Sequence, residues 1–134
     1  MKKSKKRQRE IRFNSPKCDR IICVNSYAEQ EYAKKLEADE QVESFEENYP
    51  LDQQHFQNIN PVGIRSSYFS QEWKTDFLIH KRDSSLSVRE LVRADELTKA
   101  TTLEQLELSR RYWEVAGVSD WRIVLVQEGA SHVS

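Results

Sequence analysis

Trp73-Lys74-Thr75-Asp76-Phe77-Leu78-Ile79-His80 alternates with the two-residue period of a strand. Trp73, Thr75, Phe77 and Ile79 fall on one face and Lys74, Asp76, Leu78 and His80 on the other, within a strand expected over Tyr68 to His80. Asp83-Ser84-Ser85 reads as a turn, and Leu86 to Val92 as the partner strand of an antiparallel hairpin. Leu86, Val88, Glu90 and Val92 share one side of that strand, which makes Glu90 a polar exception on an apolar face. A helix is expected from about Thr102 to Ala116, with capping boxes at Thr101/Glu104 and Thr102/Gln105 and a stop at Gly117. Trp121 to Val126 is a short apolar strand, so Leu86 to Val126 forms a strand, helix, strand unit with a right-handed parallel crossover. The class is α/β, with a mixed sheet flanked by helices.

Upstream, Val42 to Tyr49 alternates loosely and ends at Pro50, as an edge strand does. Residues 51 to 67 are mostly polar, hold Pro61 and Gly63, and read as a long loop of the kind that is functional or mobile. Ser26-Tyr27-Ala28-Glu29 has the form of a capping box for a helix running to about Asp39, with Ala28, Tyr32, Ala33 and Leu36 near one face. Glu29 has two readings, a cap that reaches back to the Ser26 amide or a metal ligand. Arg20 to Val24 is either a strand or a buried lead-in to that helix.

Residues 1 to 19 read as a basic arm closed by a turn at Asn14-Ser15-Pro16, and residues 20 to 134 as a single domain. Lys2, Lys3, Lys5, Lys6, Arg7, Arg9 and Arg12 stand against Glu10 alone, an excess of +6 in a chain whose net charge is −1. Such an arm releases counterions from a phosphate backbone, which points to DNA, although solvated tails share the composition. No apolar stretch approaches membrane-spanning length and no apolar run follows the basic start, so the expectation is a cytoplasmic protein without membrane contact. Cys18 and Cys23 are expected as two thiols, and His55, His80 and His132 form no paired-histidine motif.

The chemistry-bearing candidates are carboxylates. Asp76 lies in an apolar run and must be solvated, paired or bound, because burying it alone is costly. Glu90 is placed to face it across the hairpin, where two close carboxylates repel unless a cation or a proton intervenes. Carboxylates on two neighbouring strands and on a helix suit a hard divalent cation held beside a DNA phosphate.

These motifs follow in an order that resembles the TnsA family of heteromeric transposase endonuclease subunits. In that family an early helical glutamate precedes a segment ending in Pro-Leu, then a TDFL-like strand, then a strand ending in glutamine or glutamate, one residue, and lysine. Here Ser26 to Glu29, then Glu46-Glu47-Asn48-Tyr49-Pro50-Leu51, then Thr75 to Leu78 are similar to the first three elements. The helix Thr102 to Trp113 is the strongest local likeness, and the resemblance covers roughly residues 20 to 126. It implies a restriction-endonuclease-like core and a magnesium- or manganese-dependent DNA endonuclease that cuts a strand at a transposon end. Glu29, Asp76 and Glu90 would be its catalytic carboxylates, with Asp76 and Glu90 on the metal. A transposase subunit and a regulatory ATPase would be its partners. Val92 stands where the family has its lysine, and Arg89, Arg93 and Lys99 are the nearby cations that could substitute. The alternative is therefore a DNA-binding or transposase-docking module of the same fold with impaired catalysis.

Overall fold

A computed structural model describes residues 10–127. Strands β1 (Ile11–Ser15) and β2 (Arg20–Val24) form an antiparallel hairpin, and helix α1 spans Tyr27–Ala38. Strand β3 (Val42–Pro50) pairs antiparallel with β4 (Lys74–Lys81), β4 pairs antiparallel with β5 (Leu86–Arg93), and β5 pairs parallel with β6 (Asp120–Val126). Helix α2 (Ala100–Val115) connects the two parallel strands. The architecture is α/β, with a mixed four-stranded sheet in the order β3-β4-β5-β6 beside a separate two-stranded sheet. Among the described residues no helix is long and apolar enough to cross a membrane.

Alternation along β4 divides the core. Phe77 and Ile79 pack with Ala33 and Leu36 of α1, Ile22 and Val24 of β2, and Val42 and Phe45 of β3. Leu78 faces the other way, toward Val88 of β5 and Leu108, Tyr112 and Trp113 of α2. The two faces of β4 are thus covered by different helices, as a two-sided α/β layer requires.

Four sequence expectations give way here. The segment from Ile11 to Ser15 is a strand, so the basic arm is shorter than 1–19. Ser15 is fully buried and its hydroxyl donates to Glu37 of α1 at 2.7 Å, while Arg20 pairs with Glu47 of β3 at 2.8 Å. Those ties hold the hairpin to α1 and β3. Arg12 lies in β1 and ion-pairs with Glu10; Lys2, Lys3, Lys5, Lys6, Arg7 and Arg9 fall outside the described residues.

The expected loop of 51–67 is instead a packed segment. It holds a 3-10 helix at Gln53–Asn58 and leads into another at Ser66–Ser70, so Tyr68 belongs to that turn and β4 begins only at Lys74. Leu51, Phe56, Ile59, Ile64 and Tyr68 are all buried in the α2 side of the core. Spacing hid them because an irregular segment has no period to betray its apolar face. Phe56 stacks edge-on against both Phe69 and Tyr112. Phe56→Ala is expected to cost about 3–5 kcal/mol in urea unfolding, as aromatic truncation in a packed core does. A loss below ~1 kcal/mol would mean that the segment is a detachable flap.

Helix α2 starts at Ala100, just before the threonines expected to cap it, and its N-cap Lys99 makes no side-chain cap bond. Its end is as expected: Gly117 adopts φ 93°, and the Val118 N–H reaches Trp113 O at 2.9 Å in a Schellman closure. Arg110 and Arg111 are engaged with Glu107, and Arg111 also clamps the carbonyls of Asn60 and Val62. Arg111 thereby pins the 51–67 segment to α2, while Arg110 stays within the helix on Glu107 and Glu114.

Candidate active site

The sheet opens at Asp76. The β4–β5 ladder ends with Phe77 opposite Arg89, and the β3–β4 ladder skips from Glu47 opposite Phe77 to Tyr49 opposite Thr75. Between those two pairs Asn48 takes a left-handed conformation, φ 50°, which asparagine tolerates better than most residues. Strand β4 is therefore released from β5 at the level of Asp76, while β3 keeps its register past that point. Side chains take over from the broken ladder.

The Leu91 N–H donates to Asp76 Oδ2 at 2.7 Å, and the Asp76 N–H donates to Glu90 Oε1 at 3.1 Å. Glu90 Oε2 accepts from the Thr75 hydroxyl at 2.8 Å and the Ser109 hydroxyl at 2.6 Å. Each hydroxyl in turn accepts from an indole: Trp113 Nε1 to Thr75 Oγ1 at 2.8 Å and Trp121 Nε1 to Ser109 Oγ at 3.0 Å. Two tryptophans and two hydroxyls thus converge on one carboxylate oxygen. Nothing in the sequence spacing marked this network, whose members come from β4, α2 and β6.

A cavity of about 400 Å³ opens beside these groups. It is lined by Glu29 from α1, Lys74 and Asp76 from β4, Glu90 and Val92 from β5, and Gln105 from α2, among others. All three carboxylates singled out from sequence border the same space. They are not equivalent. Glu29 occupies a cap position, since its N–H donates to Ser26 Oγ at 3.1 Å and its Oε1 accepts from the Asn25 N–H at 2.9 Å. The partner is one residue before the cap, rather than the Ser26 amide that the motif predicts.

Electrostatics separate the carboxylates further. Burial, then the neighbouring Glu90 and Glu29, push the Asp76 carboxyl up to about 7, against the single opposing hydrogen bond from Leu91. Burial also raises Glu90, in spite of hydrogen bonds from Ser109, Thr75 and Asp76, and raises Glu29. A carboxyl driven toward neutrality by other carboxylates gains by sharing a proton or a cation.

The donor set suits a hard cation that keeps much of its water. Among the described residues no group of three or more His, Cys, Asp and Glu side chains gathers closely enough to form a protein cage. Magnesium is commonly held by one or two carboxylates with water completing the shell. Among the described residues Oδ1 of Asp76 has no donor and Oε1 of Glu90 has a single one, so the two residues retain oxygen lone pairs for such an ion.

The structure places apolar Val92, 8% exposed, in the cavity wall. Of the nearby cations, Arg89 is committed to Asp120 at 3.0 Å and Lys99 to Glu96 at 3.2 Å. Arg93 does border the cavity, contrary to simple alternation, and is tied to Asp95 and Glu96. No family model matches the chain, and no curated protein resembles it significantly.

Proposed function

We propose that this domain is a divalent-metal-dependent DNA endonuclease with a restriction-endonuclease-like core, acting in transposition as TnsA-type subunits do. The observation that carries the reading is the meeting of Asp76 and Glu90 where β4 and β5 part, in a cavity, with Asp76 driven toward neutrality by burial and then by its acidic neighbours. The strand order, the parallel crossover through α2 and the motif likeness support it.

Asp76 and Glu90 would hold the metal through their remaining oxygens, and Glu29 would add negative charge from the α1 side. A bound magnesium or manganese ion would supply Lewis acidity and an activated water. The chain's own contribution is positional. The Leu91 N–H orients Asp76, and Thr75, Ser109 and the Asp76 N–H fix Glu90 in one rotamer. The basic arm would add sequence-independent phosphate contacts. A transposase subunit and a regulatory ATPase would be the partners on the motif likeness.

Val92 favours a second reading, a DNA-binding or transposase-docking module of the same fold, because valine cannot stabilise developing charge. Calorimetry with magnesium or manganese, paired with nicking of supercoiled plasmid by the full chain, separates the two. Saturable metal binding together with nicking is the expected result. Absence of both at high metal would leave the docking module as the better account.

A further inference from the structure

We infer that Lys74 is the phosphate-binding cation of this cavity, which supplies from β4 the positive charge that Val92 cannot supply from β5. The inference deepens the nuclease reading and rests on it for the identity of the ligand. Lys74 opens β4, two residues before Asp76, and borders the cavity. It is exposed, and its ammonium makes no ion pair or hydrogen bond with any described residue. That separates it from Arg93, the other cation on the cavity wall, which Asp95 and Glu96 already engage. The same holds for Arg65 with Glu104, and for Arg110 and Arg111 with Glu107.

An uncommitted ammonium beside a carboxylate cluster needs an anion that arrives with its own reason to be there. A phosphodiester meets that need. Its non-bridging oxygens would face the metal-bearing carboxylates on one side and the Lys74 ammonium on the other. A lysine suits the position because its flexible stem carries a compact point charge that can follow a phosphate. Asp76 and Lys74 share a strand, so the two contacts would be held in fixed relation by backbone rather than by a loop.

The test uses the full chain and a DNA duplex, with calcium present to occupy the carboxylates, and reads the salt dependence of binding by fluorescence anisotropy. Lys74→Gln is expected to flatten the slope of log K against log salt by about 0.9, or about eightfold in affinity at 0.1 M salt relative to 1 M. Lys74→Arg should keep the wild-type slope, and Lys34→Gln, a surface cation of α1 away from the cavity, should lose less affinity at this site. Plasmid nicking in magnesium is measured on the same proteins and should fall further than binding in Lys74→Gln. An unchanged slope and unchanged nicking in Lys74→Gln would overturn the inference, as would a wild-type chain that binds no duplex. A flattened slope in a wild-type background that never nicks would retire the nuclease reading and keep Lys74 as a phosphate ligand.

Discussion

Asp76→Asn is expected to be more stable than the wild-type chain at pH 8 without divalent metal, and to have lost nicking by about 10³-fold, the several kcal/mol that a metal supplies to such a reaction. The two effects share one cause. Burial and the charges of Glu90 and Glu29 raise the Asp76 carboxyl from 3.8 to about 7, so the folded chain binds a proton that the unfolded chain has released. Stability from this group is complete below about pH 3.8 and falls as pH rises toward 7. At ~1.4 kcal/mol for each pH unit, the ionised form costs the fold on the order of 4 kcal/mol above pH 7. Asparagine carries no charge and keeps an oxygen for the Leu91 N–H, so it escapes that cost. Urea unfolding of both proteins at pH 4 and pH 8 should show a difference near zero at the first and full at the second. Magnesium at a hundred times its Kd should restore about 2.7 kcal/mol to the wild type alone. A difference that does not depend on pH would mean that the repulsion at Asp76 is not felt by the fold.

Glu90→Ala has the opposite expected sign. Glu90 is 7% exposed and accepts from three donors, one of them the N–H that β4 can no longer give to a neighbouring strand. Its removal leaves the Thr75 and Ser109 hydroxyls and the Asp76 N–H without their acceptor, at ~1–3 kcal/mol for each group that finds no replacement. A loss of about 3 kcal/mol is expected at pH 5, where Asp76 is largely protonated and relief of its repulsion does not mask the effect. Glu90→Gln should fall between, since its amide oxygen can serve the Asp76 N–H while its NH2 faces two hydroxyl donors. If Glu90→Ala unfolds at the wild-type urea concentration, the hydroxyl network has no structural weight. The expected results tell the two carboxylates apart by sign: Asp76 strains the fold and Glu90 ties it.

Period and punctuation made the hairpin of β4 and β5, the helix α2 and the parallel strand β6 legible. Phe77, Leu78, Val88 and Leu108 sit where alternation and helical spacing put them. The same cues bring Asp76 and Glu90 together, because residues facing each other across a tight antiparallel turn are fixed by its register. What escaped was set by tertiary packing. Ile11 to Ser15 pairs as a strand although Asn14 and Ser15 read as turn residues, because the buried Ser15 hydroxyl finds Glu37. Tyr68 leaves the strand it was assigned to because its ring packs on Trp73 and its carbonyl accepts the Trp73 indole N–H. The hydroxyls around Glu90 are Thr75 and Ser109, neither of which stands out by spacing. Lys74 was placed on the Asp76 face by alternation, and only the cavity gives that placement a meaning.

The arrangement around Glu90 also makes the chain its own optical probe. It has three tryptophans, and each is bound up with this site: Trp73 borders the cavity, and Trp113 and Trp121 are one hydroxyl away from the Glu90 carboxylate. Indole emission is shaped by the field and the hydrogen bond at its nitrogen, and with excitation selective for tryptophan no other indole dilutes the signal. A proton arriving at the carboxylates, or an ion settling there, is thereby written into the colour of the light that the unlabelled protein emits.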